Sequence, residues 1–172
     1  MPGHELPSSS DRVEIPEGLE PDIQWMLQKF MLIRESNRAA FTATSEEEFE
    51  SAVSDELASQ RVYLEHLIDS SQTVVKAFMG EAALSLPEFA GSPRDSLIQL
   101  LDRTSTNLAM VFLDKHNWGR RVVLPYKPFP LAGLTVLSEL KTHEAEHEGR
   151  NRDALGHFGI PLPEAVIRPF GK

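Results

Sequence analysis

The sequence predicts an all-α fold, a four-helix bundle with an irregular N-terminal arm and C-terminal tail. Apolar residues recur at helical spacing in four long segments, no segment alternates as a strand does, and no internal repeat is present. A chain of 172 residues with 41% hydrophobic content can bury one core. We therefore expect a bundle over residues 20–160, a flexible arm over 1–19, and a tail over 161–172 that packs on the bundle or on a dimer partner.

The first half of the chain predicts two of the long helices. Pro21 suits a first helical turn, and apolar residues follow it at helical spacing as far as Phe41. Residues 45–48 (SEEE) have the form of a capping box, which predicts a short helix or turn. A second periodic stretch begins at Ser54 and ends near Gly80, so it supplies the second long helix.

The second half predicts two more helices, separated by a loop. Ser92 and Pro93 have the form of an N-cap and a first helical residue, and helix three follows them to about Phe112. Residues 117–130 contain three prolines and cannot form one helix, although the VVL within them favours a short extended piece. Helix four is expected over residues 131–155.

Composition excludes several classes of function. Cysteine is absent, so any metal ion must be bound by nitrogen and oxygen ligands. The formal net charge of -9 opposes binding to phosphate backbones, so we expect no nucleic-acid partner. No apolar run reaches the about 18 residues of a membrane span, and the first residues lack the pattern of a secretory signal. We expect a cytoplasmic protein with no membrane partner, a small-molecule substrate and a homodimeric state.

Helix four carries the chemistry that stands out in the sequence. On a helical wheel, one stripe expected to face the bundle interior combines aliphatic and polar residues, namely Val136, Leu140, His143, His147, Arg150 and Ala154. Two imidazoles one turn apart can bind one metal ion. The alternative is a pair of hydrogen-bonded core histidines. Burying these histidines and Arg150 in an otherwise aliphatic seam costs free energy unless each polar group has a partner, and this cost favours a functional site.

A metal site needs a third ligand, and the remaining histidines are His4, His66, His116 and His157. His66 is the best choice because it lies in the middle of helix two. On the wheel, however, His66 lies opposite the apolar stripe of that helix, where it would face water unless the helix is buried on two sides.

At these residues the chain resembles the DinB-like (DinB/YfiT) superfamily of four-helix-bundle metalloenzymes, over about residues 20–160. The histidine pair in residues 143–150 (HEAEHEGR), followed by Leu155 and Gly159, is similar to the helix-four motif of that family. Residues 66–70 (HLIDS) are similar to its helix-two motif, a histidine before Leu-x-Asp-Ser. The resemblance implies that His66 binds the metal together with the helix-four pair. The glutamine common in the family is Arg150 or Asn151 here.

The resemblance also implies a chemistry. In that family the three histidines, here His66, His143 and His147, bind a divalent metal, commonly zinc, nickel or iron. Such a site keeps an open coordination position. Family members with known roles are thiol-dependent transferases and isomerases, in which a small cellular thiol attacks an electrophile. We therefore expect a metal-dependent transferase or isomerase that takes its thiol from the cell, since the chain has no cysteine.

Polar residues near the histidines are candidates for supporting roles. Glu144 and Glu146 flank the histidine seam, where each could act as a general base or accept a hydrogen bond from a ligand; alternatively, they are solvated surface acids. The loop before helix four contains Trp118, Arg120 and Arg121 and no acid between residues 115 and 130. We expect these three residues, with Arg150 on the helix-four stripe, to bind the substrate or cofactor; a plain connector is the alternative for the loop.

Two other functions are compatible with the sequence. His143 to His147 also fits the His-Glu-x-x-His signature of zinc peptidases, in which Glu144 would activate a water molecule. The further metzincin positions are missing, because Arg150 and Asp153 replace the expected glycine and histidine. The other alternative is a non-catalytic stress or interaction protein that keeps the bundle and a metal as structure.

Overall fold

The structure is a computed structural model that describes residues 20–55, 57–80, 83 and 85–167. The arm predicted over residues 1–19 and the end of the predicted tail, residues 168–172, lie outside the described residues. The prediction of an all-α bundle is confirmed. Four long helices carry the fold: α1 (Pro21–Ala43), α3 (Gln60–Met79), α4 (Arg94–Leu113) and α5 (Gly133–His157). Two short helices accompany them: α2 (Glu46–Glu50) and α6 (Glu164–Ile167). Within the described residues, none of these helices has an apolar stretch long enough to cross a membrane.

The beginning of α2 follows the local chemistry of the sequence. The Ser45 hydroxyl accepts a hydrogen bond from the Glu48 backbone N–H at 3.2 Å, and the Glu48 carboxylate accepts one from the Ser45 N–H at 2.7 Å. Two backbone donors that a helix leaves unpaired are thereby satisfied. These hydrogen bonds hold the pKa of Glu48 below its usual range. The predicted capping box is confirmed.

The second long helix begins later than the sequence predicts, at Gln60 rather than Ser54. The Ser54 hydroxyl accepts a hydrogen bond from the Leu57 N–H at 3.1 Å, while the N–H groups of Val53 and Ser54 donate to the Leu57 carbonyl. Serine competes in this way with helix formation by supplying local turn bonds. The apolar residues before Gln60 therefore belong to a turn that precedes the N-terminal end of α3.

The loop between α4 and α5 folds back on itself. A 3-10 turn at Lys115–Asn117 is followed by β1 (Arg121–Val122), which pairs antiparallel with β2 (Leu131–Ala132). The predicted extended piece is therefore present, although it is only two residues long. At Gly133, the first residue of α5, a Cβ atom would lie 1.9 Å from the Asn117 carbonyl oxygen, so only glycine permits this close approach.

The four long helices differ in how closely they pack. The most extensive contacts join α5 to α1 and α3 to α4, while α1 and α4 meet over a smaller area. In contrast, α3 and α5 approach each other only sparsely. The described part of the tail covers the end of this arrangement, since Val166 of α6 packs with Ala40 and Leu155.

The core is divided by a buried layer of polar side chains. One apolar cluster, with Phe30, Phe78 and Phe112, lies at one end of the bundle, and another, with Phe41 and Leu64, lies at the other. Each large apolar side chain buried in these clusters contributes about 1.5–3 kcal/mol. Between the clusters lies what we call the polar layer: Arg34, Asn37, Ser71, Thr104, Ser105, Glu144 and Asn151. All four long helices contribute to the polar layer.

Candidate metal centre

Three histidines from two helices converge near the level of the polar layer. His143 and His147 lie one turn apart on α5, and His66 comes from the middle of α3. The Nε2 atoms of His66 and His143 are 2.9 Å apart, and those of His143 and His147 are 3.2 Å apart. Each histidine offers one ring nitrogen, and the three nitrogens lie within 4.8 Å of one another. The group could therefore hold a metal ion.

These separations fit the donor set of a metal site. Zinc–nitrogen bonds of about 2.0–2.1 Å place two ligand nitrogens of a tetrahedral site roughly 3.3–3.4 Å apart, close to the separations observed. A neutral imidazole also has only one N–H to share, so three Nε2 atoms facing one point cannot all satisfy one another. Among the described residues, the Nδ1 atom of His147 has no hydrogen-bond partner. Binding a cation at the shared point would use the lone pairs that face it.

The histidines differ in burial, and burial sets their charge. His66 is exposed, His143 is half-buried, and His147 is only 4% exposed. Desolvation by burial lowers the pKa of His147 to about 3, with His143, His66 and Arg150 adding to the effect. Burial likewise lowers the pKa of His143, and the nearby His66 adds to this effect. Both α5 imidazoles are therefore neutral near pH 7, as metal ligands must be.

A pocket of about 530 Å³ opens beside the histidines. His66 and His143 form part of its wall, whereas His147 lies deeper, against the ring of Tyr63 at a centroid distance of 5.4 Å. Leu124, Val136 and Leu140 add an apolar surface to the pocket. A small molecule in this pocket would be in contact with two of the three histidines.

The two acids near the histidines face different surroundings. Glu146 is exposed and lines the pocket next to His143. Glu144 is fully buried on the other side of α5, where its carboxylate accepts hydrogen bonds from Arg34 and from Asn37. Glu146 therefore remains a candidate for proton transfer, whereas the Glu144 carboxylate is hydrogen-bonded to α1. The zinc-peptidase interpretation needs Glu144 beside the metal, and this placement opposes it.

The expected position of Arg150 on the buried seam is wrong. Arg150 is exposed, and its guanidinium lies over the Tyr63 ring at 5.6 Å from the ring centre. The buried face of α5 is rotated relative to the predicted stripe, so that it passes through Glu144, Glu148 and Asn151. Asn151 contacts α1 on this face, because its Nδ2 donates to the Asn37 Oδ1 at 2.9 Å.

The three loop residues expected to bind the substrate or cofactor donate hydrogen bonds to backbone carbonyls. Trp118 Nε1 donates to the Phe112 carbonyl at 2.9 Å. Arg120 donates to the Phe78 carbonyl at 2.7 Å, and Arg121 donates to the Pro130 carbonyl at 2.9 Å. None of the three lines the pocket. Their hydrogen bonds hold the loop in place, and a role in binding stays a prediction.

Two other residues of the same loop, which belong to its group of basic and aromatic residues, do reach the pocket. Tyr126 and Lys127 line it, and the Lys127 ammonium forms an ion pair with Glu139 of α5 at 2.9 Å. Burial raises the pKa of Tyr126, with a smaller contribution from Glu139, so the phenol keeps its proton at neutral pH. The concentration of aromatic and basic residues in the loop was the available signal, but it did not distinguish these two residues from their neighbours.

The described residues form an all-helical bundle in which three histidines converge beside a pocket. No family model and no curated protein matches the chain. The structure is similar to the crystal structure of a DinB-like protein, YjoA, from Bacillus subtilis, with a TM-score of 0.64 and 15% sequence identity. The similarity covers 82% of this chain and 97% of that chain. The chain thus has a DinB-like fold, and its three-histidine group fits a metal-binding protein of that type.

Proposed function

We propose that this protein is a metal-dependent transferase or isomerase that combines a small cellular thiol with a small electrophilic substrate. The observation that carries the proposal is that His66 and His143 line the pocket of about 530 Å³. Structural metal sites are closed, whereas catalytic ones keep a position open to a substrate. A divalent ion such as zinc, nickel or iron, held by His66, His143 and His147, would supply a Lewis acid that lowers the pKa of a bound thiol or water.

The remaining pocket residues supply binding and proton transfer. Leu124, Val136 and Leu140 exclude water from the apolar part of a substrate. The charged pair of Lys127 and Glu139 offers a donor and an acceptor to polar substrate groups. These residues orient a small molecule with its reacting part toward the histidines.

Glu146 is the residue we assign to proton transfer. It lines the pocket beside His143 and is exposed, so its carboxylate can accept the proton that a thiol releases as it becomes the nucleophile. Tyr126, which also lines the pocket, keeps its proton and can donate a hydrogen bond to the electrophile. The chain has no cysteine, so the nucleophilic sulfur must come from a second molecule.

The test is a conjugation assay of the metal-loaded protein with common low-molecular-mass thiols and a panel of epoxides, alkyl halides and maleyl compounds. We expect turnover to require the metal and to fall about 100-fold or more in Glu146→Gln, a typical cost of removing a general base. Asp153→Asn serves as the matched control, because Asp153 is an exposed acid of the same helix that does not line the pocket. Metal binding with no turnover for any thiol and electrophile would favour the non-catalytic alternative.

A further inference from the structure

The candidate metal ligands lie on two helices that barely touch. His66 belongs to α3, which packs chiefly against α4, while His143 and His147 belong to α5, which packs chiefly against α1. Direct packing of α3 on α5 is sparse. A small slide of either helix would therefore separate His66 from the other two imidazoles, unless something else fixes the spacing.

Arg34 of α1 reaches both ligand-bearing helices. Its Nη2 atom donates to the Ser71 hydroxyl of α3 at 2.6 Å and to the Glu144 carboxylate of α5. Ser71 lies about one and a half turns after His66, and Glu144 is the residue next to His143. The guanidinium is planar and rigid, so its two bonds from one nitrogen set a fixed distance between these helices.

A chain of amide side chains makes a second connection between the same helices. Asn37 Nδ2 donates to the main-chain oxygen of Glu144 and to its carboxylate, both at 3.0 Å. Asn151 of α5 donates to the Asn37 Oδ1, and Gln60 Nε2 of α3 donates to the Asn151 Oδ1 at 3.3 Å. Gln60 lies about one and a half turns before His66, so α3 is held on both sides of its ligand.

The ion pair at the centre of these connections is costly to bury. Arg34 is 3% exposed and Glu144 is 0% exposed, and apolar side chains of similar size would fill such a layer without desolvating two charges. We propose that Arg34 and Glu144 are positioning residues, whose bonds to Ser71 and Asn37 hold α3 and α5 at the spacing at which the three histidines bind one metal ion. This inference rests on the metal centre proposed above.

The test separates positioning from stability with the double variant Arg34→Met/Glu144→Leu. Replacing a buried ion pair by apolar residues of similar size is often neutral or stabilising, so we expect a folded protein with a melting temperature no lower than that of the wild type. Its affinity for Co²⁺ should nevertheless fall about 10- to 100-fold, as for the loss of residues that orient metal ligands. The visible absorption spectrum of bound Co²⁺ should change as well.

The matched control is Arg38→Met/Asp102→Leu. Arg38 lies one turn after Arg34 and pairs with Asp102 at 2.8 Å, so this ion pair joins α1 to α4, neither of which carries a candidate ligand. It should leave the affinity and the spectrum of Co²⁺ unchanged. A folded Arg34→Met/Glu144→Leu protein with wild-type affinity and spectrum would overturn the inference.

A milder pair of variants keeps the inference testable if the double variant does not fold. Ser71 and Ser105 both accept hydrogen bonds from Arg34, but Ser71 lies on α3, which carries His66, and Ser105 lies on α4, which carries no ligand. We expect Ser71→Ala to weaken Co²⁺ binding and Ser105→Ala to leave it unchanged; equal effects would contradict the inference. Failure of the wild type to bind Co²⁺ would remove the metal centre and this inference together, whereas binding that ignores these variants would remove the inference alone.

Discussion

Two groups of polar side chains lie near the same depth of the bundle but differ in how they are hydrogen-bonded. In the polar layer, Glu144 accepts bonds from Arg34 and Asn37, and Arg34 also bonds hydroxyl groups on α3 and α4. At the candidate metal centre, the Nε2 atoms of the three histidines face one another, and because a neutral imidazole has a single N–H they cannot all be paired with each other. One group is extensively hydrogen-bonded within the chain, while the other leaves acceptors directed at a common point.

The difference shows how to separate structural from functional polar residues in a helical core. A buried polar network that is hydrogen-bonded favours one arrangement of the helices even where its charges are costly to bury, whereas converging nitrogens that cannot all be paired keep a cost that a ligand can remove. The location agrees with this division, because His66 and His143 line the pocket, whereas no residue of the polar layer does. Variants of the polar layer and variants of the histidines should therefore have different effects.

The largest effect should come from breaking the ion pair of the polar layer on one side. Glu144→Leu leaves the Arg34 guanidinium buried without its counter-charge, and arginine cannot lose its proton. We expect a loss of about 3–5 kcal/mol in the free energy of unfolding, measured by urea denaturation. Arg34→Met should cost less, because the remaining carboxyl group can become protonated.

A stability loss of under about 1 kcal/mol in Glu144→Leu would show that the ion pair is not desolvated as the structure indicates. The conservative change Glu144→Gln is the companion measurement. It retains the shape and the acceptor for Asn37 while removing the charge, so its stability should lie between those of the wild type and Glu144→Leu.

The second effect concerns the other group. His143→Ala removes the imidazole whose Nε2 lies near both other Nε2 atoms, so metal affinity should fall by more than about 100-fold, beyond the range for residues that only support a ligand. Isothermal titration with Zn²⁺ measures this loss. His116→Ala and His157→Ala are matched controls, because both histidines are exposed and lie outside the cluster. Loss of binding in either control, with retention in His143→Ala, would show that the metal lies elsewhere.

A third prediction measures how much the metal adds to a fold that already has a core. Saturation at about 100 times the dissociation constant stabilises the folded state by about 2.7 kcal/mol, or roughly 5–10 °C in melting temperature for a chain of this size. Chelator should remove that increment and leave the helical circular dichroism intact at room temperature. Unfolding by chelator at room temperature would contradict the prediction, while His143→Ala should show no response to chelator.

The sequence predicted the features that depend on local chemistry. The capping box at Ser45, the proline at the start of α1 and the helical period of four segments are interactions between residues close in the chain, so they are legible without a structure. The pairing of His143 with His147 is of the same kind. His66 was the best third candidate because it lies in the middle of its helix, and the family resemblance supported this choice although its position on the wheel pointed toward water.

The features that the sequence did not predict depend on contacts between distant segments. Within the polar layer, Arg34 bonds Ser71, which is 37 positions further along the chain, and Glu144, which is 110 positions further along. The residues that flank Arg34 in the sequence do not distinguish it from a surface arginine. The rotation of α5 that buries Glu144 and exposes Arg150 has the same origin. A rotation of a few tens of degrees about the axis of α5 decides whether Glu144 or Arg150 is buried. The pattern of apolar and polar residues does not define an angle of that size when the buried face is itself polar.

The smallest predicted effect tests that rotation at Arg150. Its guanidinium is exposed over the Tyr63 ring. Burial is the main cause of the lowered pKa of His147, and the positive charge of Arg150 adds to it. The same charge opposes a bound cation, so Arg150→Met should raise Zn²⁺ affinity about two- to threefold at low salt. The effect is small because two exposed unit charges interact by about 1 kcal/mol at 4 Å in water and by less at longer range. The gain should shrink at high salt because ions screen exposed charges. Titrations at two salt concentrations measure both effects, with Arg152→Met as the control on the same helix, whose guanidinium instead pairs with Glu148. Weaker metal binding in Arg150→Met would mean that Arg150 supports the site by a contact, and the exposed placement would then be wrong.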